Sequence, residues 1–314
     1  MQSHLRKIDE AKLSNDVLRW EMVLREYEQL NRLSAEINSC PSCLNVIPNP
    51  ERYTREIEEF KYKSAEARYV LGMKLMNENT RLGAKAAYQH FEKAQYFYPN
   101  FKDVQDQLDD AYWSATLKVL VRPAVVRSNY YRLSADYFSE QTNAFLQNYK
   151  GSKFVMFYTE EQVKAGKIMP DQVLELDFED FSVGDTYVKE KVEKLKRDSV
   201  IIGYTRINEP IYGTVKAELS VFEKKVSSTG VLSMVIVDWN KKSPIKQKRL
   251  AGTYIWQDNW ASYKGDERAL SKQQLAITKR KEVMPPLPAE LFVLFTKPIY
   301  DQLVGEINRF YANY

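Results

Sequence analysis

The sequence predicts an α+β protein in two parts: a helical-repeat domain over residues 1–116, then an α+β domain with a mainly antiparallel sheet over residues 117–314. Three observations carry this. Apolar residues recur at three-to-four spacing through the first 116 positions. After Thr116 the pattern changes to short apolar runs and strict alternation, as in Val173–Phe181 and Val215–Val221. Those two periods, 3.6 and 2, belong to helix and strand. The chain of 314 residues is also long enough for two domains of ordinary size.

Residues 5–39 carry a stripe of Trp20, Val23, Leu24, Tyr27, Leu30 and Ile37, opposite Glu21, Arg25, Glu28 and Arg32, which predicts one helix. Cys40–Pro50 ends it. Glu51–Asn77 resumes helical spacing, Asn77–Thr80 supplies turn and capping residues, and Leu82–Tyr98 is the next helix, closed by Pro99-Asn100. Phe101–Thr116 follows with Val104, Leu108, Ala111, Tyr112 and Ala115 on one face.

In the second part, Leu117–Val121 reads as a strand and Leu133–Tyr149 as a helix with Ser134 as its cap and Gly151 as its stop. Phe154–Tyr158 is a strand and Thr159–Ala165 a short helix. Val173–Phe181 alternates, with Leu174, Leu176 and Phe178 on one face and Glu175, Asp177 and Glu179 on the other. Val188–Arg197 fits either a helix or a charged hairpin arm. Ser227–Gly230 reads as a turn between the strands Val215–Val221 and Val231–Val237. Asp238–Pro244 is the next turn and Lys248–Trp256 the returning strand. Met284–Pro288 is a stiff linker, and Leu291–Tyr311 a final helix open to interruption at Pro298.

Within residues 65–116, Gly72, Ala87, Phe91, Ala94 and Pro99 stand at the spacings of a tetratricopeptide repeat, with about three extra residues between its helices. This segment resembles that family. The resemblance implies two helices held close where Gly72 meets Ala87, and a concave face around Tyr69, Tyr88 and Tyr96 that holds other proteins. Residues 117–256, with Val231–Asp238 and Arg249–Tyr254 as a late hairpin, resemble the α+β domain of curli-secretion lipoproteins and of outer-membrane lipoproteins that activate peptidoglycan synthases. This implies a bacterial envelope setting. Asn240–Pro244 stands where those domains carry a glycine turn, and no functional residue transfers from them.

The charges nearly cancel, with 46 basic and 42 acidic residues, which argues against a nucleic-acid partner. Lys241, Lys242, Lys246, Lys248 and Arg249 nevertheless crowd one hairpin beside Trp239. They suit either protection of a strand edge or a grip on phosphate. Glu175, Asp177 and Glu179 fit a cation site in residue type. They fit equally the solvated face of a strand paired with lysines such as Lys216. No nucleophile elbow, phosphate loop, zinc-protease motif or dinucleotide fingerprint occurs, so neither an activity nor a cofactor is expected. A lone His90 beside Phe91 lacks the partners a general base needs.

Cys40 and Cys43, the only cysteines, leave a local disulfide, plain free thiols, a redox pair and a zinc site with His4 or His90 as alternatives. Trp256, Trp260 and Tyr263 place three large rings in eight residues, read as leaving the sheet for a loop, where they either anchor a partner or cap the core. No run of eighteen apolar residues exists, and Met1–Arg6 is not followed by the apolar core of a secretory signal. A periplasmic or envelope-attached protein whose signal lies outside this chain, or a cytoplasmic protein, satisfies both facts. The expected role is a non-catalytic scaffold or adaptor for protein partners. The alternatives are a phosphate or nucleic-acid binder using the hairpin 241–249, and an enzyme with an unfamiliar site.

Overall fold

A computed structural model describes residues 1–314. The chain forms two compact units, Met1–Thr116 and Leu117–Tyr314.

The first unit is helical throughout: α1 (Gln2–Leu13), α2 (Arg19–Asn38), α3 (Pro41–Leu44), α4 (Thr54–Met76), α5 (Arg81–Phe97) and α6 (Val104–Ala115). The single helix expected over 5–39 is therefore two. Ser14 Oγ accepts the Asp16 N–H, and Asp16 Oδ1 accepts the Leu18 N–H. These side-chain bonds replace the helical ladder and turn the chain. Thr80 caps α5 by accepting the Gly83 N–H. Between α4 and α5 the close approach pairs Gly72 with Phe91, not with Ala87: the Phe91 ring lies where a Gly72 side chain would stand. Ala65, Ala87, Phe91, Ala94, Phe101, Val104, Leu108 and Ala111 form one apolar cluster. Ile8, Val23, Leu24, Tyr27, Leu30 and Phe60 form another.

The second unit is built on a five-stranded sheet of order β2-β1-β3-β4-β5. β1 (Leu117–Val121) and β2 (Val155–Thr159) are parallel and joined by α7 (Arg132–Gln147), the crossover that parallel strands require. Tyr131, not Ser134, stands at the N-cap of α7, and the helix stops at Gln147, before Gly151. The capping box of Thr159 and Gln162 opens α8 (Glu160–Gly166). β3 (Gln172–Tyr204) runs parallel to β1 at its start, then pairs antiparallel with β4 (Pro210–Asp238), which pairs with β5 (Pro244–Gly265).

β3 and β4 span 33 and 29 residues, so the hairpin outruns the rest of the sheet as an arm. Val188–Arg197 is strand. Ser227–Gly230 is no turn: β4 passes through it unbroken, because Ser228 Oγ accepts the Gly184 N–H and Thr229 Oγ1 donates to the Gly252 carbonyl.

Residue parity divides the sheet into two faces. Leu174, Leu176, Phe178, Leu232, Met234 and Ile236 lie under α7 and α10 (Pro288–Tyr311), forming the main core with Phe138, Phe292, Phe295 and Ile299. α10 continues through Pro298. On the opposite face, farther along the arm, α9 (Lys272–Thr278) and the 3-10 turn Glu267–Ala269 cover Ala217, Leu219 and Ala261. No helix is long and apolar enough to cross a membrane.

Candidate interaction surfaces

The acidic strand face is an ion-paired surface. Arg122 reaches Glu175 at 2.5 Å, Arg127 reaches Asp177 at 3.7 Å, and Arg249 reaches Glu179 at 2.8 Å. The partners are arginines close by. Lys216 lies far along the arm, opposite Lys196. Alternation put three carboxylates on one face, and the neighbouring segments supply matching cations there.

The basic hairpin is also largely engaged. Lys246 binds Glu306 at 2.7 Å, Arg249 binds Glu179, and Lys242 Nζ sits 3.6 Å from the centroid of the Trp239 ring. Hydrogen bonding to Lys246 holds the Glu306 carboxyl below its usual range, chiefly against the burial that would raise it. Cations committed to neighbours in this way have less to give a phosphate backbone.

Cys40 and Cys43 are joined in a disulfide across α3. Cys40 Sγ also accepts the Cys43 N–H at the start of that helix. Neither sulfur is a thiolate in this state. His4 Nδ1 bonds Glu26 at 2.6 Å, and His90 stands 3.4 Å from Arg68, which pairs with Glu21. Burial, then the Arg68 charge, pushes the His90 pKa below its ordinary value.

The six aromatics expected to meet a partner divide by environment. Tyr69 packs against Phe91 and Phe101 and donates its hydroxyl to Asp103, a bond that with burial raises its pKa to about 12. Tyr88 is half-buried against Tyr112. Tyr96 stands in solvent, with Lys93 over its ring. Trp256, Trp260 and Tyr263 lie on β5 itself, which continues to Gly265. No loop carries them: the β4 ladder runs unbroken from Val226↔Trp256 to Ala217↔Gly265. Trp260 stacks on Phe222, and Tyr263 joins the cluster under α9. Between the two tryptophans on the same face, Asp258 is buried and accepts from Arg280 and the Val283 N–H, each at 2.9 Å. The strip therefore holds down the segment that leads to α10.

The surface that sequence reasoning missed is a groove between α7 and α10. Leu133, Tyr137, Pro286, Ala289, Val293 and Leu294 line about 600 Å³ of it. It continues as a cleft of about 570 Å³ past Gln141, Lys297, Tyr300 and Asp301. Leu133 is 83% exposed and Leu287, beside the groove, 68%. Leu133 and Tyr137 stand at helical spacing in the predicted helix Leu133–Tyr149, and Val293 and Leu294 lie in the predicted helix Leu291–Tyr311. Core and rim residues share that spacing, and only the placement of α10 leaves Leu133 and Tyr137 uncovered.

No known protein family and no characterised protein matches this sequence. Among solved structures, a crystal structure titled "putative neuraminyllactose-binding hemagglutinin homolog from Helicobacter pylori" is similar over 62% of this chain and 84% of its own, at 13% identity and a TM-score of 0.28. A likeness of that size constrains neither fold nor function.

Proposed function

We propose that the protein is a non-catalytic adaptor that holds an apolar segment of another protein in the groove between α7 and α10. The observation that carries this reading is the groove itself. Two helices present Leu133, Tyr137, Val293 and Leu294 to it, and its charged lining residues are Glu290, Lys297 and Asp301. An exposed apolar strip between two helices, with polar groups beside it, suits an amphipathic helix or extended peptide. Nothing in its lining pairs a nucleophile with a base, so binding accounts for the groove better than chemistry does. A bacterial envelope setting is part of the proposal. It rests on the resemblance of residues 117–256 in element order: strand, helix, strand, short helix, then antiparallel strands.

The test is site-specific photocrosslinking from position 133 in cells of the native organism, repeated with Tyr137→Ala and with Leu294→Asp. Capture of a defined protein that both substitutions abolish, at unchanged thermal stability, supports the adaptor. An empty crosslink, together with DNA or RNA binding that falls when Lys241 and Lys248 are replaced, overturns it in favour of the basic hairpin.

A further inference from the structure

The arm ends in a feature that the adaptor reading does not use. From Phe181, whose ring packs on Phe292 of α10, to Tyr204 at the tip, β3 advances at most about 76 Å at about 3.3 Å per residue. The third strand, β5, stops opposite Ala217, so the last stretch is a two-stranded hairpin. There the polar alternation ends. Ile201, Ile202, Tyr204, Ile207, Ile211 and Tyr212 are all exposed, and Ile207 at the turn is 77% exposed. Ile201 stands directly opposite Tyr212 on one face. Ile202 lies over Gly213 on the other. The tip thus exposes apolar side chains on both sides, with Arg206 and Glu209 as the charges of its turn, more apolar surface than a solvated hairpin needs.

Four to six residues back along β4 from Tyr212, on the same face, stand Lys194, Lys196, Lys216 and Lys264 around a single Glu218. Lys196 faces Lys216 across the ladder, a like-charge pair that weakens an isolated hairpin. Of the four lysines only Lys196 has an acidic partner, Asp198 at 3.2 Å. The arm is also braced. Arg268, clamped to Asp266, donates to the Ile201 carbonyl at 2.6 Å, and Arg197 donates to the Arg268 carbonyl at 3.2 Å.

We infer that the arm tip docks into the surface of a bilayer rich in anionic phospholipid. Three features select that occupant. The isoleucines at the apex would enter the acyl boundary, while Tyr204 and Tyr212 sit at headgroup level, where their rings and hydroxyls are both satisfied. The lysine cluster behind them would meet headgroup phosphates, its long side chains reaching toward the surface. Depth is limited by the backbone. A two-stranded tip carries unpaired N–H and C=O groups on both edges, which hydrocarbon does not tolerate, so the hairpin rests in the interface and does not span. A second copy of this chain fits poorly. Two register shifts, at Arg197/Val200 and Ile201/Gly203, break the β3 edge, and Pro210 removes a donor from β4. The lysines of two copies would also repel.

The experiment is flotation of the full chain with vesicles of phosphatidylcholine alone and of phosphatidylcholine with phosphatidylglycerol at three to one, at low and high salt. Binding is expected on the anionic vesicles only, weakening as salt rises. Ile202→Asp with Ile207→Asp, and separately Lys196→Glu with Lys216→Glu, should each reduce it by at least about tenfold, since apolar insertion and charge act together. Both pairs are solvent-facing, and an unchanged melting curve shows that the arm is intact. As a second readout, Ile207→Trp should shift its emission to the blue with anionic vesicles and not with neutral ones. Failure of the wild type to float, or binding that the tip variants leave unchanged, overturns the inference. So does self-association, or retention of a purified protein partner, that Ile207→Asp abolishes while lipid binding is nil. The groove variants Tyr137→Ala and Leu294→Asp should leave flotation untouched, which separates this result from the fate of the adaptor reading.

Discussion

Gly72 on α4 lies beneath the ring of Phe91 on α5: a Cβ built at Gly72 would stand 2.5 Å from Phe91 Cε1 and 2.8 Å from Cδ1 and Cζ. Phe91 is fully buried among Ala65, Ala87 and Ala94, so the ring has nowhere to go. Two effects of Gly72→Ala oppose each other. Alanine gains about 1 kcal/mol of helix propensity over glycine, whereas overpacking a filled core costs about 1–3 kcal/mol. The clash should win. Hydrogen exchange of the α4 and α5 amides should accelerate in Gly72→Ala and return toward wild type when Phe91→Leu is added. Slower exchange in the single variant would mean that the ring does not occupy this groove.

How much of this was legible in the sequence depends on what fixed each feature. The helices of the first unit were readable, because their apolar stripes and the Thr80 cap are local signals. The break at Ser14–Asp16 was written in two capping side chains that the longer stripe masked. Gly72 marks a contact, but its partner is Phe91: small residues at helical spacing show that helices approach and do not show which side chain fills the gap. In the second unit, Ser227–Gly230 has turn composition and strand conformation. Gly230 serves the approach of Phe295, and Ser228 satisfies a backbone donor on the neighbouring strand. Those are tertiary demands that override local propensity. The groove was not legible, since Leu133 and Tyr137 carry the same periodicity whether covered or bare.

His90 should show a depressed titration. Burial and Arg68 both disfavour its charged form, so its pKa lies below the ordinary value of about 6.5. The unfolded chain then takes up the proton first as pH falls. The contribution of His90 to stability is therefore flat above pH ~6.5 and is lost as pH drops from there toward the lowered value. With only two histidines in the chain, an NMR titration of wild type and His4→Gln assigns the signal. A His90 midpoint at or above 6.5 would show that burial beside Arg68 does not outweigh the opposing charge of Glu21, and His90→Gln should flatten the acid side of the dependence of Tm on pH.

Asp258 should control access to the segment after α9. Its carboxylate accepts from Arg280 and from the Val283 N–H while buried between Trp256 and Trp260. Asp258→Ala leaves the Val283 N–H without its acceptor and removes one of the two acceptors of Arg280, which keeps Asn259 Oδ1, a loss of about 1–3 kcal/mol. That loss falls on one short segment, so it should appear as local opening. Trypsin cleavage after Lys279, Arg280 or Lys281 should accelerate well before the rest of the unit is attacked. Equal cleavage rates in wild type and variant would show that the segment is held elsewhere.

Gly230 and Gly252 stand opposite each other on β4 and β5, and together they seat α10 on the sheet. The two are not equivalent. A Cβ at Gly230 would meet the Phe295 ring edge at 2.6 Å and Phe181 Cβ at 2.8 Å, both side-chain atoms. At Gly252 it would run into the Phe295 carbonyl oxygen, and Ile299 Cγ1 stands 2.7 Å away. A ring can tilt, but a helix carbonyl moves only with its helix. Gly252→Ala should therefore cost more than Gly230→Ala, toward the upper end of the roughly 1–3 kcal/mol typical of overpacking. It should do so by lifting α10. Because Val293 and Leu294 on α10 form one wall of the groove, the lift should also weaken capture of the protein crosslinked from position 133. Gly230→Ala should spare that capture. Parallel melting curves and crosslinking yields for the two variants decide it, and equal effects of both would mean that α10 is not seated through the Gly252 backbone contact.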